Sequence, residues 1–148
     1  MKNSNTYHYS IAIIFIWVGF ICAISFMEAW LKFQAPGITT ELGLGIGQLV
    51  FGMLNKVEIA CAISITLGAM LSNSVKAKNG IGYLFVVLIA LGIESIWLLP
   101  ALDQRASLII KGVVLPKSKL HLGYVLLEIA KTICLIVYGM KLLTRVKK

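Results

Sequence analysis

Four long runs of apolar residues, separated by short polar stretches, dominate the chain near residues 10–32, 53–71, 81–102 and 119–140. A helix needs about 20 residues to cross a hydrocarbon core about 30 Å thick, and each run meets or approaches that length. The pattern therefore predicts an all-α fold, a single four-span transmembrane domain over residues 1–148 built as a four-helix bundle.

Two connections complicate this. The stretch QAPGITTELGLGIGQLVFGMLNKVE opens with a Pro-Gly turn signal and offers a helix start at Thr39 or Thr40. From Leu42 to Leu71 is about 30 residues, roughly 45 Å as helix, which exceeds the thickness to be crossed. Either the second span starts at 42 and is tilted or extended, or residues 42–54 form an interfacial or re-entrant segment before it. Gly43 and Gly47 make a small-xxx-small face for close helix approach under both options. Their G-x-G-x-G setting matches neither the dinucleotide nor the P-loop pattern, so phosphate binding is not expected. The third connection, DQRASLIIKGVVLPKSK, reads as an interfacial loop, with a cap over the bundle mouth as the alternative. No internal repeat supports a transporter built from inverted halves.

Composition agrees with a membrane protein: 59% of residues are hydrophobic and 14% charged, against roughly a quarter charged in soluble domains. The polar start MKNSNTYHYS resembles that of a secretory signal, but the apolar run is long and no A-x-A-like cleavage site follows, so the first span is expected to persist. Cys22, Cys61 and Cys134 lie singly in separate spans without a C-x-x-C pair, which fits small core residues rather than disulfide exchange.

The net charge of +8 sits at helix ends and loops, so it speaks of topology and gives no reason to expect a nucleic-acid partner. Lys2, Lys76, Lys78, Lys141, Arg145, Lys147 and Lys148 would share one side, which places both termini in the cytoplasm. Arg105, Lys111, Lys117 and Lys119 on the other side make that bias modest. Tyr7, Tyr9, Tyr83 and Tyr138 are expected at the inner interface, and Trp30, Trp97 and Tyr124 toward the outer one. The expected location is a bacterial-type inner or plasma membrane.

Candidate chemistry lies in the glutamates. Each span carries one, Glu28, Glu58, Glu94 and Glu128, and helix alternation brings all of them to the outer half of the bilayer. A charge at that depth costs about 2.5–3.5 kcal/mol on insertion scales, so these side chains should face the bundle interior and find partners. Lys32 is four residues from Glu28 and Lys131 three from Glu128, each able to meet it on one helix face. Asn55 and Lys56 are close to Glu58 in sequence. Glu94 has no cation on its own helix and is therefore expected to be protonated or held by a ligand. His121 precedes Glu128 by two helical turns, so both are expected to point into one cavity, with Tyr124 or Val125 between them.

Metal and cofactor chemistry can be tested against spacing. Di-iron bundles place Glu-x-x-His on two helices, whereas here Leu31, Cys61, Trp97 and Lys131 stand three after the glutamates, so a di-iron centre is not expected. Nor is bis-histidine haem, because His8 belongs to the opposite face from His121. One divalent ion on His121, Glu94 and Glu128 is chemically reasonable, with the nearby lysines against it. No G-x-S-x-G elbow is present.

Size and four-span layout resemble several groups of small membrane proteins, including sterol-isomerase-like bundles with acidic residues in a cavity, but no motif of those groups is matched. Three readings follow. The first is an acidic intramembrane cavity of Glu28, Glu58, Glu94, Glu128 and His121, supported by Lys32, Asn55, Lys56, Tyr124 and Lys131, that binds or transports a cation, an amine or protons; transport would call for a homo-oligomer. The second is a membrane enzyme on a lipid-like substrate, with Glu94 or Glu128 and His121 as catalytic acid and base. The third is an accessory or structural subunit of a larger membrane complex.

Overall fold

The computed structural model describes residues 2–71 and 80–146, with side chains over 7–70 and 80–144. It contains helices and no strand among the described residues. Four helices are long and apolar enough to cross a membrane: Tyr7–Gln34, Thr40–Met70, Ile81–Ile110 and Leu120–Thr144, here the first to fourth helices. Large apolar side chains such as Leu49, Met70 and Ile96 stand exposed on their outer faces. In water such a surface would aggregate, whereas in lipid it costs nothing. The chain is an integral membrane protein, and its architecture is a four-helix bundle.

The helices run alternately up and down. The first packs against the second and the fourth, the fourth against the third, and the second meets the third chiefly along Leu99–Ile110. At the lower end, Gly80 abuts Tyr138, and the Lys141 ammonium lies 4.7 Å from the Tyr83 ring centre. The lower half is filled by Ile14, Trp17, Ile65, Val87, Leu135 and Leu142. Gly139 permits the close crossing of the first and fourth helices there, because a Cβ on it would stand 3.1 Å from the Phe15 ring.

Among the described residues, two widened, π-helical turns interrupt the regular coiling, Cys22–Glu28 in the first helix and Glu94–Leu98 in the third. The second has an identifiable cause. Pro100 lacks an N–H and its ring crowds the carbonyl four residues earlier, that of Ile96, and the turn opens just ahead of it.

One open alternative is decided and one helix boundary is corrected. Residues 42–54 belong to one unbroken helix from Thr40 to Leu71, so the second span is the extended form and the re-entrant alternative does not hold. Its upper part is held sideways: Gln48 Nε2 donates to the Asp103 carbonyl at 2.9 Å and to Ser107 Oγ at 3.0 Å. The third helix correspondingly continues to Ile110, so Asp103 and Arg105 are helical rather than in a loop. Arg105 then ties the true loop down by donating to the Pro116 carbonyl at 2.6 Å.

Trp30 and Trp97 are exposed as interfacial rings should be, but Tyr124 and Tyr138 are buried between helices. Cys61 is buried, whereas Cys22 faces outward. Of the cations that set the expected orientation, Lys76, Lys78, Lys147 and Lys148 lie outside the described residues, as do the side chains of Lys2 and Arg145.

Candidate functional site

Midway along the bundle, side chains from the second, third and fourth helices converge on one ammonium group. Glu128 and Lys131 are three residues apart on the fourth helix and thus share a face. Glu58 approaches from the second helix and Glu94 from the start of the π turn of the third. Lys131 Nζ is 2.6 Å from Glu58 Oε1 and 3.3 Å from Glu128 Oε2, and it also contacts Glu94 Oε2. All are sealed from the surroundings, with Glu94, Glu128 and Lys131 at 0% exposure and Glu58 at 1%. Trp17 on the first helix completes the ring by donating Nε1–H to Glu58 Oε1 at 2.9 Å.

This cluster is short of positive charge. Three carboxylates surround one ammonium, so the group carries two excess negative charges when every member is ionised. The shortage is visible in the hydrogen bonding too. Beyond the ion pairs, the carboxylate oxygens of Glu94 have no hydrogen-bond partner among the described residues, and Glu128 has the Tyr124 hydroxyl beside it but no second cation. Buried carboxylates left in that condition are costly unless a proton or a cation joins them.

Above the cluster the helices part to enclose a cavity of about 280 Å³, to which Lys32, Phe33, Phe51, Asp103, His121 and Tyr124 contribute. Tyr124 is its floor. Its ring meets Phe51 edge to face, with centroids 5.5 Å apart, and its hydroxyl lies 3.5 Å from Ser25 Oγ. Glu128 is one helical turn below on the same face, so Tyr124 separates the vestibule from the glutamates.

The structure sorts the sequence candidates into three places. Glu58, Glu94, Glu128 and Lys131 come together in the buried cluster. Glu28 does not join them: it stays near the upper end, paired with Lys32 at 3.2 Å as their four-residue spacing suggests. His121 is exposed and lines the vestibule, whereas Glu128 does not line it, so the expected shared cavity is divided by the Tyr124 ring. Lys56 is exposed as well, because residues two apart on a helix face different ways and its side chain turns from Glu58. Asn55 works outside the cluster, its Oδ1 lying 2.6 Å from the Ser95 hydroxyl, which donates to it or to the Leu91 carbonyl at 2.7 Å.

Two sequence expectations are thereby revised. Glu94 does have a cation, but it comes from the fourth helix, where spacing along the third cannot show it. The imagined ion on His121 with Glu94 and Glu128 lacks its histidine. Glu58, Glu94 and Glu128 do offer one oxygen each within 4.8 Å of one another, but the Lys131 ammonium already stands among them. Trp17 and Ser25 are participants that the sequence reading missed. For Trp17 the signal was its depth, since a tryptophan far from either interface must find a buried acceptor for its indole N–H.

Comparison of the chain with protein-family models, characterised proteins and solved structures gives no match. The functional reading therefore rests on the geometry of the cluster and its vestibule.

Proposed function

We propose that this protein takes up protons or a small cation from one end of the bundle into the Glu58–Glu94–Glu128–Lys131 cluster, in a binding or transport role. The observation that carries this is the charge shortage: three buried carboxylates share one ammonium, and no second cation pairs with them among the described residues. Ionisable groups at membrane depth are costly and commonly line ion and proton pathways. Lys131 is tethered, so an arriving cation competes with it for the same oxygens. Tyr124 and Ser25 supply hydroxyls between vestibule and cluster, along which a proton can pass. Below, the packed apolar side chains of Ile14, Ile65, Val87 and Leu135 close the other end. Moving a charge onward would require the helices to repack there.

The enzyme reading fits less well, because it needs His121 to act with Glu94 or Glu128 and these groups stand in separate places.

Competition between protons and cations gives the test. Sodium, calcium or methylammonium chloride is added to the purified protein in unbuffered micelles while pH is followed. Saturable proton release by at least one of them is expected from the parent, with little from Glu94→Gln. Equal release by both proteins, or none from the parent with any of the salts, would remove the basis of the proposal.

A further inference from the structure

We infer that the vestibule is a binding site for a small alkylammonium ion and that Lys32 occupies it as a built-in stand-in. This goes beyond the reading above: it concerns a second site, the vestibule, and does not depend on the buried cluster.

The contacts of the Lys32 ammonium define the site. Nζ lies 3.2 Å from Glu28 Oε2, 5.0 Å from the Phe51 ring centre and 5.6 Å from that of Phe33. One carboxylate and two aromatic faces are the surroundings that cation–π recognition of an ammonium uses, and both rings fall within the roughly 6 Å over which it acts. The side chain is drawn inward to make them. Lys32 sits in the final turn of the first helix, where a lysine is free to extend toward the interface, yet its side chain is only 9% exposed.

Local backbone supports the cage. Gly47 of the second helix passes so close that a Cβ on it would stand 3.1 Å from Lys32 Nζ, and one on Gly43 would collide with the Phe33 ring. These glycines let the rings and the ammonium lie against bare helix.

Beside the cage there is room for a ligand. The cavity, about 280 Å³, lies just under the range of about 300–1,000 Å³ typical of drug-sized ligand sites, which selects a small guest. Most of its lining is apolar, with Leu44, Leu99 and Leu102 beside the two phenylalanines, suited to alkyl groups. Asp103 contributes a second carboxylate, which makes no ion pair among the described residues. An incoming alkylammonium would place its charge between Glu28 and the rings while Lys32 swings out to the interface.

The probe is tetramethylammonium chloride, titrated calorimetrically into the purified full chain in lipid nanodiscs, with tert-butanol as the neutral comparison of similar size. Saturable binding of the ammonium and none of the alcohol is expected. Lys32→Met removes the competitor and should tighten binding about tenfold, whereas Phe51→Leu removes one ring face and should weaken it about fivefold. Glu94→Gln should leave the affinity unchanged, which separates this inference from the proton and cation chemistry of the cluster. The inference is overturned if neither the parent nor a folded Lys32→Met protein binds the ammonium, if tert-butanol binds as well, or if Glu94→Gln abolishes binding. Should Lys32→Met fail to fold, an unchanged affinity in Phe51→Leu overturns it equally.

Discussion

The upper and lower halves of this bundle are made by the same four helices yet are opposite in character. Below the cluster, isoleucines, leucines and valines close around Trp17, and Gly139 lets the first and fourth helices cross closely. Above it, the upper parts of the second and third helices lean on each other through Gln48, the first helix ends in Lys32 and Phe33, and the space left between is the vestibule. What separates the halves is where the helices may approach, not how apolar they are. The first-helix π turn carries Ser25, opposite Tyr124 at the vestibule floor, and the third-helix π turn begins at Glu94 in the cluster. Both changes of helical pitch thus fall where packed core gives way to open cavity, as π turns often do beside functional groups.

The largest blow to this contrast should come at its boundary. Lys131→Met leaves three carboxylates around an apolar side chain, and breaking a buried ion pair in this way costs about 3–5 kcal/mol. A loss of folded protein or a strongly lowered melting temperature in detergent is expected, partly restored by adding Glu94→Gln. A Lys131→Met protein as stable as the parent would show that the cluster is already neutral without its lysine.

Trp17→Phe tests the lower side of the boundary more gently. The N–H donated to Glu58 is lost, worth about 1.5–3 kcal/mol as a hydrogen bond to a charged group, and the smaller phenyl ring leaves part of the fully buried indole site empty, which adds to the destabilisation. Thermal denaturation compared with Trp30→Phe checks it, since Trp30 is exposed and donates to the Phe26 carbonyl within its own helix. The smallest effect belongs to Lys56→Gln, which should change stability by no more than about 0.5 kcal/mol because the side chain is exposed and away from the cluster. A large effect there would restore Lys56 to the site.

The four spans and the presence of a polar centre were legible in the sequence because a glutamate inside an apolar run is conspicuous. The partners across the bundle were not. Spacing along one helix found Glu28 with Lys32 and Glu128 with Lys131, since three- and four-residue intervals fix a face. It gave no means of seeing that Lys131 also reaches Glu58 and Glu94, a matter of rotation and depth between helices. The same holds for His121: a two-turn spacing to Glu128 places Tyr124 between them but does not show that its ring divides the space into two. The length of the second helix was read correctly as excessive, but only the hydrogen bonds of Gln48 to the third helix show what the excess does.

The most direct measurement is proton and cation movement in liposomes containing the purified chain and an enclosed pH-sensitive dye. Under an imposed pH gradient, the parent and Lys56→Gln should shift internal pH when a permeable counter-ion or the accepted cation is present, while Glu94→Gln should behave as protein-free vesicles. A Glu94→Gln protein that is folded and shifts internal pH as fast as the parent would contradict the central role given to the buried glutamates.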